Sequence, residues 1–209
     1  MGLSGFDIAD FIPGVEEQRA KAKQAVRDFV QGAIEGNPER MMTTFQLLDY
    51  GDLDGAGWPS VMRAVSRLPS VPPKTTKFFL RVLINYGDKL RQECSDLLLV
   101  DGLRVLLPKY KGPDMHLYRG EGSLNRSRRT YGLSWTASVK VARNHAKGFW
   151  IHSEGGSVVI ETLAPCDAII CKVPKSEDRY NEAEYVVDRR RLTTVKVVER
   201  FAQLPLEHS

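Results

Sequence analysis

The chain has 209 residues, 42% of them hydrophobic and 27% charged, an ordinary globular composition that is long enough for one domain or a domain with an extension. Its longest apolar stretches, such as Leu97-Leu98-Leu99-Val100 and Val158-Val159-Ile160, fall far short of the ~20 residues that cross a bilayer, so no membrane span is expected. The net charge of +4 is unevenly placed, because residues 109–209 carry 17 Lys and Arg against 12 Asp and Glu, a net of +5, whereas residues 1–108 carry 13 against 14, a net of −1.

Met1 to Asp7 has neither a basic n-region nor an apolar h-region, so no cleaved secretory signal is expected and a cytoplasmic site of synthesis follows, with delivery to another cell left open. The three cysteines, Cys94, Cys166 and Cys171, are an odd set without CxxC spacing. A reducing compartment, no zinc site and three small buried residues are expected.

Residues 1–108 read as helical. From Val15 to Ile34, the positions Ala22, Val26, Phe29, Val30, Ala33 and Ile34 recur at spacings of three and four, and Gly36 stops the helix. Asn37-Pro38-Glu39 then supplies an N-cap and a proline at the first helical position, with Met41, Met42, Phe45 and Leu48 on the apolar face. A third helix opens at Trp58-Pro59-Ser60, a fourth after Pro72-Pro73 with Phe78, Phe79, Val82, Leu83 and Tyr86 in register, and a fifth apolar segment runs from Leu97 to Leu107. The tract Asp49-Tyr50-Gly51-Asp52-Leu53-Asp54-Gly55 fails as a calcium loop. Aligning Gly55 with the required glycine puts Tyr50 at the first ligand position and Val61 where a glutamate belongs, so an acidic turn is expected.

After Pro108 the texture changes to short β-branched and aromatic runs between Gly, Pro and Asn clusters. Strands are predicted at 115–121, 133–136, 157–163, 168–173, 184–188 and 193–201. One helix is predicted from Ser138 to Phe149, with Val141, Ala142, His145 and Phe149 on one face. The predicted class is α+β, mainly antiparallel, with a helical region at 1–108 and a β-rich core at 109–209.

Three segments of that core carry chemistry. Tyr118-Arg119-Gly120 ends a strand with a guanidinium beside a residue lacking a side chain. In Ser134-Trp135-Thr136 the strand alternation places the two hydroxyls on one face and Trp135 on the other, which serves either a binding face or ordinary strand packing around a core tryptophan. Glu182-Ala183-Glu184 repeats the arrangement with carboxylates, each raising the other's pKa if buried, and unremarkable if the strand is an exposed edge.

In this order the three segments resemble the R-S-E class of mono-ADP-ribosyltransferases, over roughly residues 115–201. Bacterial and phage members with a helical N-terminal extension are the most similar in layout. The resemblance implies two packed sheets and NAD+ as co-substrate, with no metal. It implies that Arg119 holds the NAD+ phosphate, Gly120 meets the carboxamide, and Ser134, Trp135 and Thr136 line the nucleotide site. Glu184 would be the catalytic carboxylate, and Glu182 would activate the incoming nucleophile, with Tyr180 and Arg179 beside it in target recognition. A first-position glutamate is similar to arginine-modifying members, so a protein arginine is the expected acceptor of a toxin, effector or phage-related modifier.

Alternatives stay open at this point. The arginines 126, 128, 129 and 189–191 flank the proposed cleft and would suit an RNA or DNA acceptor as well as a solvated rim. Hydrolysis of NAD+ or a silent binding module of the same fold are the others. For residues 1–108 the roles open are covering the cleft, docking an antitoxin or immunity partner, or recognising a target. His116, His145, His152 and His208 are expected in local hydrogen bonds or on the surface, outside any ligand set.

Overall fold

A computed structural model describes residues 15–50, 57–178 and 181–205, and the chain divides into two compact units, Met1–Leu106 and Leu107–Ser209. The acidic tract at 51–56 lies outside the described residues.

In the first unit, α1 (Val15–Glu35) ends at Gly36, whose φ of +67° suits a residue without a Cβ. Asn37 then caps α2 (Pro38–Tyr50), its Oδ1 accepting the Arg40 backbone N–H at 3.1 Å. Both helices are as predicted, and their predicted faces are buried at Phe29, Ala33, Met41 and Phe45, whereas Ala25 is buried in addition and Ile34 and Met42 are exposed, because burial takes a narrower stripe than the full set of apolar positions. Trp58, at the start of α3 (Gly57–Val65), is 1% exposed and meets Phe29 and Phe45 at 5.4 Å and Phe79 at 6.5 Å between ring centroids. These aromatic edges make the centre of the helical core. Following Pro72, α4 (Pro73–Glu93) is tied to the end of α1 by the Thr75 hydroxyl donating to the Ala33 carbonyl at 2.7 Å, and it kinks at Tyr86. Helix α5 (Asp96–Leu106) completes the unit.

The second unit is a six-stranded antiparallel sheet in the order β4-β5-β2-β1-β3-β6: β1 (Met115–Gly122), β2 (Ser134–Thr136), β3 (Ser157–Ala164), β4 (Ile169–Lys172), β5 (Glu184–Val187) and β6 (Lys196–Phe201). Two packed sheets were expected; one hydrogen-bonded order is found. The seam between its halves is a single registered pair, Tyr118 opposite Thr136. Around that seam the sheet closes on a common core, with Leu117, Val158 and Ile160 of one half clustered with Trp135, Ile169, Tyr185 and Val187 of the other.

A short helix, α6 (Ser123–Arg128), has no buried residue and no apolar period to announce it. Helix α7 (Val139–His145) starts where expected, the Ser138 hydroxyl capping the Val141 N–H, but continues as a π-helical turn over Ala146–Trp150. That wider turn takes Phe149 off the predicted packing face and leaves it 77% exposed.

Helix α7 lies on the sheet over Gly120, where a Cβ would stand 2.3 Å from the Ala142 carbonyl oxygen and 2.4 Å from the Ala146 nitrogen. A paired Arg143–Glu199 contact, at 2.5 and 2.8 Å, fixes the same helix to β6. Gly120→Ala is therefore expected to cost about 3 kcal/mol by overpacking against backbone that cannot yield. Urea unfolding of the variant checks this; an unchanged midpoint would contradict the packing.

Candidate functional site

Arg119 and Glu121 follow one another on the same face of β1, and their side chains pair, Nε to Oε2 at 2.8 Å. Glu121 is almost fully buried, and it accepts three more hydrogen bonds, from the Gly122 N–H and Asn125 Nδ2 at 3.0 Å and the Gly132 N–H at 3.1 Å. Burial opposes its charge, but the Arg119 guanidinium and these donors outweigh it and hold the carboxyl below the usual range. Glu121 is a residue of this cluster that the motifs did not single out, although Arg-x-Glu at alternate strand positions is its signal.

The same guanidinium crosses the seam and donates through Nη1 to the Ser134 carbonyl at 2.5 Å. It passes so close to Gly132 that a Cβ there would stand 2.4 Å from Nη2. Arg119 is thus a half-sequestered cation, its side chain 15% exposed, tying β1 to β2. Two of its five N–H donors are committed in this way, to Glu121 and to Ser134.

Across the seam, β2 and β5 pair with Thr136 opposite Glu184 and Ser134 opposite Val186, which sets both hydroxyls and Glu184 on one face. The hydroxyl face expected of Ser134 and Thr136 is present. Trp135 lies on the opposite face: its ring is 1% exposed in the core, edge-on to Tyr131, with the indole N–H donated to the Gly132 carbonyl at 3.2 Å. At Gly120 the space that a Cβ would occupy is filled by α7.

Glu184 is drawn in two directions. Burial pushes its carboxyl up, the Ser134 hydroxyl donates to it and pulls it down, Glu182 and Asp178 push it up, and Arg119 pulls it down. The result lies above the ordinary glutamate value. Ser134→Ala removes a stabiliser of the ionised form, so the titration midpoint of Glu184 is expected to rise further. Carboxyl-detected NMR titration of wild type and variant checks the direction; a fall would contradict the hydrogen bond.

Glu182 does not share a strand with Glu184. Strand β5 begins at Glu184, and Ala183 has φ +50°, which breaks the alternation that would have aligned the two carboxylates. The turn is held instead by its backbone: the N–H groups of Glu182 and Ala183 both donate to Asp178 at 2.8 Å, and the Thr136 hydroxyl donates to the Glu182 carbonyl. Such bracing is what keeps two non-glycine residues, Asn181 and Ala183, at positive φ. The Glu182 side chain reaches His145, Oε1 to Nε2 at 3.0 Å, a contact the sequence did not suggest because 37 residues separate the two.

Arg179 and Tyr180 lie outside the described residues, as does His208. His116 is exposed on β1, and His152 contacts the Leu204 carbonyl at 3.2 Å. Cys94 and Cys171 are buried, with burial pushing their thiols up to about 12; Cys166, expected to be buried, is exposed in the turn before β4. Among the described residues no group of three or more His, Cys, Asp or Glu could hold a metal ion, and no helix is long and apolar enough to cross a membrane.

The flanking arginines are largely engaged. Arg190 pairs with buried Asp188 at 2.7 Å, Arg191 with Asp167 at 2.6 Å, Arg189 donates to the Arg129 carbonyl, and Arg126 to the Val195 carbonyl at 3.0 Å.

Comparisons with family models, with curated proteins and with solved structures give no match to this chain.

Proposed function

We propose that residues 109–209 break the nicotinamide–ribose bond of NAD+ and transfer ADP-ribose to a macromolecular acceptor, a protein arginine ahead of nucleic acid. The observation that carries the proposal is the convergence of Ser134, Glu184 and Arg119 from three strands, with Ser134 and Glu184 on one face of the paired β2 and β5 and the Arg119 guanidinium reaching across from β1 to the Ser134 carbonyl.

The chemistry asks for little covalent help. Nicotinamide departs from C1′ with the bonding pair and leaves an oxocarbenium-like ribose, so the site must supply negative charge at the sugar and a hold on the pyrophosphate. Glu184, ionised above its raised midpoint and oriented by Ser134, suits the first task. The Arg119 guanidinium suits the second, with Glu121 fixing its plane. The acceptor then bonds to C1′ through a nitrogen lone pair and gives up a proton, for which Glu182 is the nearby carboxylate. Residues 109–209 carry the basic excess that would steer an anionic dinucleotide.

The pairing of Arg189, Arg190 and Arg191 with protein groups is why nucleic acid ranks second. The test is incubation of the purified chain with adenylate-labelled NAD+ and a cell lysate, followed by parallel protease and nuclease digestion. Label lost to protease and kept through nuclease supports protein as the acceptor. The reverse moves the proposal to nucleic acid, and absence of any transfer overturns the transferase.

A further inference from the structure

The backbone of the Glu182–Ala183 turn is fixed by Asp178 and Thr136, and its side chain is fixed separately, by a residue from another element. His145, the last residue of α7, places Nε2 3.0 Å from Glu182 Oε1, with both side chains partly open to solvent, 39% and 30% exposed. An ionised carboxylate only accepts, so this contact requires that Nε2 carry hydrogen and donate. One glutamate oxygen is thereby held by the imidazole.

The imidazole is itself held in plane. Phe149 stacks on it at 5.6 Å between centroids and 24° between planes, while remaining 77% exposed. A phenylalanine left in water makes no contribution to the core. What positions it is the π-helical turn Ala146–Trp150, an insertion in the helix that recurs at functional sites and that here carries Phe149 back over the ring. A helix fastened by Gly120 and Arg143 therefore delivers an aromatic-braced donor to the carboxylate of a turn that is fastened by other groups. Two independently anchored segments meet at one hydrogen bond.

We propose that His145 is the positioning residue of the acceptor step: it orients Glu182 toward the incoming nucleophile, with Phe149 fixing the imidazole, and it acts on transfer rather than on cleavage of the glycosidic bond. The inference rests on the transferase reading above and adds a residue to it. Cleavage depends on Glu184, Ser134 and Arg119, none of which touches His145; capture of ribose by an acceptor depends on Glu182, which does.

Two rates measured on the same samples separate the steps: nicotinamide released with water as the only acceptor, and ADP-ribose transferred to agmatine, a small guanidine used as the probe. His145→Ala is expected to lower the ratio of transfer to hydrolysis about tenfold through kcat, with KM for NAD+ unmoved. His145→Gln, whose amide N–H can still donate, restores a good part of the ratio, and Phe149→Ala moves it in the same direction by less. Equal loss of both rates, or a ratio unmoved in every variant, overturns the role of His145 while leaving the wild-type transferase standing. A wild type that releases no nicotinamide overturns both. Melting curves of the three variants identify any loss of both rates that comes from unfolding, and His145→Gln, nearest in shape, then decides.

Discussion

Glu121→Gln is expected to lower the stability of the protein by about 3 to 5 kcal/mol, the usual cost of leaving one member of a buried ion pair without its partner. The substitution keeps the shape of the side chain but removes the charge that faces Arg119, whose side chain is 15% exposed. It also turns one acceptor oxygen into a donor, facing either the N–H groups of Gly122 and Asn125 at Oε1 or those of Gly132 and Arg119 at Oε2. The pH dependence has a definite sign. A carboxyl held below its unfolded value gives stability that is present above the unfolded pKa and is lost as pH falls through the folded one. The difference between wild type and Glu121→Gln should thus be full at pH 7 and shrink below the ordinary glutamate range. Chemical denaturation at pH 7 and pH 3 measures it; a difference that grows on acidification would contradict the assignment.

Glu184→Gln is expected to behave in the opposite way. It should lower nicotinamide release by a factor of about 10² to 10⁴, the range for removal of a group that meets developing charge or moves a proton in the transition state, and it should leave the protein as stable as wild type or more so. A folded-state pKa above the unfolded one means that ionised Glu184 costs stability at neutral pH, and this cost disappears below the ordinary glutamate value, where the group is protonated in both states. The gain from the glutamine should accordingly be visible in melting curves at pH 8 and absent at pH 4. Loss of activity with gain of stability is the signature of a charge kept for chemistry. A variant that loses both in parallel would place Glu184 in the framework instead.

Much of this was legible in the residues. The strands were marked by β-branched runs between turn residues, and each of the six predicted strands overlaps one found in the sheet. The arginine, the hydroxyl pair and Glu184 were legible because they sit on or beside those runs, where alternation fixes the face. Glu182 was misread for the converse reason: alternation was extended one peptide too far, into a turn where Ala183 takes a positive φ that no sequence pattern marks. The packing of Trp135 in the core and of α7 over Gly120 was not legible, since a buried ring and an absent Cβ take their meaning from neighbours distant in sequence. His145 was invisible because its partner is distant in sequence and because the π-helical turn that presents Phe149 depends on tertiary contacts. The helical faces were legible in Phe29, Ala33, Met41, Phe45, Phe79 and Val82, which are buried, and not at their margins, where Ala25 is buried and Ile34 and Met42 are exposed.

The central claim is that this chain breaks the bond between nicotinamide and ribose, and that Glu184 is the group on which the break depends. The direct measurement is release of nicotinamide from NAD+ labelled in that ring, by wild type and by Glu184→Gln, at pH 8 with and without a lysate as acceptor. Release by wild type, reduced at least a hundredfold in the folded variant, is the predicted result. Equal release by the two proteins, or none by wild type with any acceptor present, would contradict it.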